Sequence, residues 1–230
     1  MKTIGDRILY EDNHLIIINK LPGELSQGDI SGDESLIETI KDFIKKRDNK
    51  PGNVFLGLIH RLDRPTSGAL AFAKTSKALS RMNERFKTRE VQKIYWAIVE
   101  GKAEKKSGLL EHYLRKNPKN NKVTIYPQPT AEAKKAVLHY SVIGNLNNYS
   151  LIEVELHTGR SHQIRSQLSY IGFPIKGDLK YGAKRSNPDG GISLHARKIS
   201  FIHPVKKEEI TVIAPPPDET LWKECLKFAN

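Results

Sequence analysis

The part of this sequence best equipped for chemistry is an aspartate set between two arginines: Gly57-Leu58-Ile59-His60-Arg61-Leu62-Asp63-Arg64-Pro65-Thr66-Ser67-Gly68. Opposite charges nearby favour the ionised carboxylate, so Asp63 is expected to stay charged beside Arg61 and Arg64. Pro65 fixes its own backbone and pushes Arg64 toward an extended conformation, and Thr66-Ser67-Gly68 supplies short side chains and a permissive backbone for a turn. Taken alone, a structural ion pair closing that turn is the simpler account of Asp63. A second group of candidates is Gly159-Arg160-Ser161-His162-Gln163-Ile164-Arg165. It places five side chains able to donate hydrogen bonds at a strand-to-helix junction, where backbone N–H groups and the positive helix end favour anions. Phosphate binding, carboxylate pairing and an ordinary polar helix start all fit it. A serine hydrolase built from Ser67, His60 and Asp63 does not fit, because nucleophile, base and orienting acid come from separate parts of a fold.

The elements that must position these residues follow from the hydrophobic periodicity. Apolar residues on both sides of the first stretch, Val54 to Ile59 and Ala69 to Ala73, predict a tight connection between two buried strands, with Asp63 at a sheet end. Leu15 to Lys20 reads as a strand buried on both faces, and Leu36, Ile37, Ile40 and Ile44 form the apolar stripe of a helix. A further helix runs from Thr75 or Ser76 to about Lys87. Val91 to Glu100 alternates as a strand with Lys93 and Tyr95 on one side. Gly108 to Lys116, Lys122 to Tyr126, Lys135 to Ile143 and Tyr149 to His157 continue as short strands with polar turns, which favours antiparallel pairing. Ser161 is the expected cap of the next helix, with Ile164, Leu168 and Ile171 inside. Lys176 to Gly191 is a long polar loop of the kind that is functional or mobile. The pattern predicts an α+β fold in a single domain over residues 1–230, with no internal repeat.

Composition narrows the partners. A chain of 230 residues with 38% hydrophobic residues is that of a globular protein, and its net charge of +12 draws it to polyanions, nucleic acid before membrane. No apolar run is long enough for a membrane span or a signal peptide, so a cytoplasmic location is expected. The single cysteine, Cys225, allows no internal disulfide or thiolate cluster, and the eight histidines show no HExxH pattern, so no metal is expected.

Four blocks, in order, resemble those of the RluA-type RNA pseudouridine synthases: His60 to Gly68, Lys93-Ile94-Tyr95, His157 to Arg165, and Leu194-His195-Ala196. Asn19-Lys20 with Pro22-Gly23 is similar to the family's leading block, though Leu21 intervenes after Lys20. Gly177-Asp178 with Tyr181-Gly182 is similar to its late loop. The resemblance implies a mixed, mainly antiparallel sheet flanked by helices and loops around a central RNA-binding cleft, without the S4 RNA-binding domain that many relatives carry in front. It implies an isomerase that converts uridine in tRNA or rRNA to pseudouridine, as a monomer, with no metal or cofactor. Asp63 is then the catalytic aspartate, acting on the ribosyl part of a flipped-out uridine. Tyr95 lies against the uracil and relays the C5 proton, and Arg165 pairs with the aspartate. Arg61 holds the RNA open, while His60, Lys93, Arg160, His162, Leu194, Lys20 and Lys180 are expected as further substrate contacts. A non-catalytic RNA-binding module is the competing reading, although binding alone gives no reason for a carboxylate in a polyanion site.

Overall fold

A computed structural model describes residues 3–28, 32–104 and 106–229. In chain order the strands and α-helices are β1 (Ile8–Glu11), β2 (Leu15–Lys20), α1 (Leu36–Arg47), β3 (Gly57–Leu58), β4 (Ser67–Ala73), α2 (Ser76–Thr88), β5 (Gln92–Glu100), β6 (Ser107–Asn117) and β7 (Lys122–Tyr126). They continue as β8 (Lys134–Asn145), β9 (Tyr149–Leu156), α3 (Gln163–Tyr170), β10 (Leu194–Ile202), β11 (Glu209–Ile213) and α4 (Thr220–Leu226), with a 3-10 turn at Leu179–Tyr181 before β10. The class is α+β, with a mainly antiparallel sheet. The chain divides into two compact units, Met1–Val91 with Ala196–Pro215, and Gln92–His195 with Pro216–Asn230.

In the first unit the strand order is β1-β2-β4-β10, with β3 beside β4 and β11 beside β10. β2 and β4 run antiparallel in unbroken register from Leu15 opposite Ala73 to Lys20 opposite Gly68. The alanines of β4 leave room on one face, where Ala69, Ala71 and Ala73 pack with Leu15, Ile17 and Met82. α2 starts at a real cap: the Thr75 side chain accepts the Ala78 N–H. Gly68 has φ +113°, and a Cβ there would collide with the Ala196 backbone, so both torsion and space require glycine.

The second unit is the antiparallel series β5-β9-β8-β6-β7. Trp96, Ile98, Leu151, Trp222 and Cys225 form one of its cores, which is how α4 is held. A smaller cluster of Leu114, Val123, Ala136 and Tyr181 lies under the β6–β7 hairpin. No helix among the described residues is long and apolar enough to cross a membrane.

Candidate active site

The Asp63 loop is shorter on its leading side than periodicity suggests. β3 holds only Gly57 and Leu58, paired with Phe72 and Ala73, and Phe55 is exposed. Residues 59–66 therefore form the connection to β4, closed by a turn in which Thr66 N–H donates to the Asp63 carbonyl at 3.0 Å. The loop is held from the β2 end. Lys20 is fully buried, and its Nζ donates to the carbonyls of Leu21 (3.0 Å), Arg64 (2.9 Å) and Thr66 (2.7 Å). An ammonium has three protons, so these three acceptors use all of its donors. Burial pulls the Lys20 pKa down to about 8, against the opposing attraction of Glu24 and Asp63. Lys20, expected among the RNA contacts, is in this structure a backbone clamp beneath Asp63.

Residues 23–26 add to that clamp. Gly23 N–H donates to the Arg64 carbonyl at 2.9 Å, and Ser26 Oγ donates to the Leu62 carbonyl at 3.0 Å. Arg64 departs from the expected pairing as well: its Nε donates to the Gly23 carbonyl at 2.9 Å and its Nη2 lies 2.8 Å from Asp33. Arg61 is exposed and makes no ion pair among the described residues, and Asp63 is half-buried. The His60 ring stacks on Phe86 with centroids 5.1 Å apart, and its Nε2 accepts the Ala71 N–H at 3.2 Å, which ties it to β4 and α2.

Tyr95 and Arg165 belong to the second unit, Asp63 to the first. Tyr95 is buried on β5, in register with Val154 of β9, and Lys93 is half-buried nearer the strand start. The start of α3 corrects the expected cap. Ser161 does not cap it; the helix begins after His162, which takes a left-handed φ of +48° with no side-chain cap bond. Gln163 does the local work instead. Its Oε1 accepts the Arg160 N–H (3.0 Å) and the Thr158 hydroxyl (2.8 Å), and its Nε2 donates to the Val137 carbonyl (3.1 Å). Arg160 turns its Nε to the Lys135 carbonyl at 3.0 Å.

Arg165 is buried, and its Nε and Nη2 form a forked pair with Asp178 at 2.6 and 2.9 Å. Its guanidinium also stands 5.2 Å from the Tyr181 ring centre. The Tyr181 hydroxyl accepts the Val123 N–H at 2.9 Å and lies 2.8 Å from His162 Nδ1, to which its own proton can point. Lys180 reaches back to the Asn120 and Asn121 carbonyls at 3.5 and 3.3 Å. Leu194 is buried at the start of β10. The 176–191 segment is thus a built element with Asp178, Tyr181 and Asn187 buried. Asp178 and Tyr181 stood in the motif Gly177-Asp178 and Tyr181-Gly182, but residue type alone gave them no partner. No group of three or more His, Cys, Asp or Glu side chains among the described residues forms a metal site.

A family model described as RNA pseudouridylate synthase matches residues 14–170. The chain is 35% identical over 215 residues to an uncharacterised RNA pseudouridine synthase of Synechocystis, covering 91% of this chain and 65% of that protein. It is 33% identical to ribosomal large subunit pseudouridine synthase C of Vibrio cholerae, covering 90% and 65%. An uncharacterised RNA pseudouridine synthase of Bacillus subtilis, YlyB, is 31% identical with 92% and 69% covered. The chain spans about two thirds of the length of these curated relatives. Among solved structures, human RNA pseudouridylate synthase domain containing 4 superposes with a TM-score of 0.79 at 25% identity, covering 98% of this chain and 93% of that one. Human RNA pseudouridylate synthase domain containing 1 gives 0.72, also at 25% identity, covering 95% and 86%.

Proposed function

The chain belongs to the RNA pseudouridylate synthase family, and we propose that it isomerises uridines of structured RNA, ribosomal or transfer, to pseudouridine. The observation that carries this reading is the span of the family match, residues 14–170, which takes in Asp63, Tyr95 and Arg165 together. Uridine and pseudouridine are isomers: the N1–C1′ bond breaks, a C5–C1′ bond forms, and the C5 proton leaves for N1 or solvent. No electrons or atoms are exchanged with a second reactant, so the reaction requires neither a redox cofactor nor a group donor.

In this reading Asp63 acts on the ribosyl carbon or its neighbouring proton, and either task needs an ionised carboxylate on a fixed loop. Lys20 supplies the fixing. Tyr95 serves the uracil face and the C5 proton, and Arg165 serves the charge of the carboxylate. Arg61, exposed beside Asp63, holds the RNA open, and Lys93, Arg160 and His162 contact the substrate. Residues 1–230 work as one catalytic domain, a cytoplasmic monomer with RNA as its partner. Large-subunit ribosomal RNA is the first substrate to test, because that is what the Vibrio cholerae relative is named for.

The test is tritium release from RNA labelled at uridine C5. The wild-type chain should release tritium, and Asp63→Asn should lower the rate by more than about 10³-fold while still binding RNA. Release persisting in that variant removes Asp63 from the chemistry. Binding without release by the wild-type chain favours a non-catalytic RNA-binding protein.

A further inference from the structure

The segment between α3 and β10 has a polar anchor to which the chemistry above gives no task. From Lys184 to Gly190 every residue is exposed except Asn187, which is buried. A buried amide in an exposed stretch is costly unless its groups are bonded, and here both ends are. Lys176 Nζ donates to Asn187 Oδ1 at 2.5 Å, and Asn187 Nδ2 donates to Ser193 Oγ at 3.3 Å. An ammonium can only donate, so its contact fixes which end of the amide is the oxygen. Gly177 packs against the same amide: its φ is +90°, and a Cβ there would collide with the Asn187 side chain. The Asn187 carbonyl accepts the Gly190 N–H at 3.1 Å, closing a turn whose sequence, Asn-Pro-Asp-Gly, suits it.

Joining the two ends of the segment does not need this amide. The backbone already does so: Ser193 N–H donates to the Lys176 carbonyl, Lys176 N–H to the Ile98 carbonyl of β5, and Ile98 N–H to the Ser193 carbonyl, each at 2.9 Å. What the amide adds is a fixed place for Lys176 and Gly177, and Asp178 comes next in the chain. Asp178 is itself tied on both sides, its N–H to the Ile175 carbonyl at 3.0 Å and its carbonyl to the Tyr181 and Ala183 N–H groups at 3.0 and 3.1 Å. Its buried carboxylate carries the forked pair with Arg165, in which two parallel bonds demand one geometry. A shift at Gly177 is therefore passed to the guanidinium, and a displacement of about 1 Å remote from the chemistry can lower a rate about 10²-fold. We propose that Asn187 is a positioning residue for the uridine isomerisation: it pins Lys176 and Gly177 to Ser193, and so fixes Asp178 and, through Asp178, Arg165. The proposal rests on the isomerase reading, in which Arg165 serves the charge of the catalytic carboxylate.

The experiment is single-turnover tritium release from RNA labelled at uridine C5, with RNA affinity measured in parallel. Asn187→Ala should lower the release rate about 10- to 100-fold and leave affinity within about twofold. Asn187→Asp should restore the rate to within about threefold of wild type, because a carboxylate accepts from Lys176 and the Ser193 hydroxyl can turn to donate to it. In an Asp178→Asn background Asn187→Ala should cost no more than about a further twofold, since the contact it acts through is already gone. Full additivity of the two changes, a wild-type rate in Asn187→Ala, or a loss of affinity that matches the loss of rate overturns the proposal. Should Asn187→Ala melt early, Ser193→Ala removes one bond of the amide and should lower the rate about three- to tenfold; an unchanged rate there overturns the proposal as well. A second readout is independent of turnover. The buried Arg165 Nε–H should exchange with solvent at least about tenfold faster in Asn187→Ala, while the Trp96 Nε1–H, donated to Glu153 in the same unit, keeps its wild-type rate. Absence of tritium release from the wild-type chain counts against the isomerase reading, whereas equal Arg165 exchange in the two chains counts against Asn187.

Discussion

Lys20 of the first unit and Lys119 of the second carry the same charge in opposite surroundings. Lys20 is enclosed, with three carbonyls around its ammonium; Lys119 sits on an exposed turn with no acid partner among the described residues. Their neighbours follow suit. In the first unit Arg7 pairs with Glu24 at 2.8 Å, Lys74 and Arg47 with Glu11 at 2.7 Å, and Arg64 with Asp33 at 2.8 Å. Along the β6–β7 hairpin the cations face solvent. The comparison teaches that a net charge of +12 is not one surface: some of it is consumed in holding backbone or in pairing with acids, and the rest is left exposed.

The largest expected effect tests that division directly. Lys20→Met takes the ammonium away from three carbonyls, of which that of Arg64 keeps the Gly23 N–H, and should cost about 3–5 kcal/mol of unfolding free energy. Lys119→Ala, at an exposed turn, should change stability by no more than about 0.5 kcal/mol. Urea unfolding of the two variants measures both. Small and equal losses would break the comparison, since Lys20 would then be no more structural than a surface lysine.

A smaller effect is expected where one hydroxyl, not a charge, does the holding. Tyr181→Phe keeps the ring beneath Arg165 but removes the acceptor of the Val123 N–H and the contact with His162 Nδ1. One buried donor left unanswered should cost about 1–3 kcal/mol. Amide exchange sharpens the result: the Val123 N–H should exchange faster in the variant, while the β2 and β4 amides that lie in register beside Lys20 should not change. Uniform acceleration in both units would show a global loss of stability in place of a loosened β6–β7 hairpin.

Much of this was legible in the sequence, for reasons visible in particular residues. Alternation identified β5 and β9, and the 3.6-residue period identified α1 and α2, because burial of one face leaves a periodic signature. The motif around Asp63 and the one ending at Arg165 were legible through their resemblance to the family's blocks; residue type alone left a structural ion pair and a polar helix start open. Partners were not legible. Nothing in residue type says that Lys20 turns inward to the Arg64 and Thr66 carbonyls, or that Arg64 reaches Asp33. Those outcomes depend on contacts across 44 to 46 and 31 positions of chain. The cap of α3 differs for a related reason: Ser161 has the right chemistry, but the helix begins only after His162, which takes a left-handed backbone with no side-chain cap bond.

The smallest expected effect is confined to acid and concerns another compensated charge of the first unit. Asp12 is in the turn between β1 and β2. Burial would raise its pKa, but the His14 and Leu15 N–H groups, each 2.8 Å from Oδ1, together with Tyr10 and Lys206, hold it down to about 2. A carboxyl whose folded pKa lies below its unfolded value adds stability that is fully present above the unfolded pKa and is lost as pH falls through the folded one. For Asp12 that window runs from its ordinary 3.8 down to about 2, and screening by solvent keeps the contribution to about 1 kcal/mol. Below the range in which His203, whose Nε2 lies 3.0 Å from Asp12 Oδ2, takes up its proton, the unfolding free energy of the wild-type chain minus that of Asp12→Asn should shrink as pH falls from about 4 toward 2.5. A difference that stays level across the whole range would mean that Asp12 holds its turn by shape, and that the paired charges of the first unit matter less than their geometry suggests.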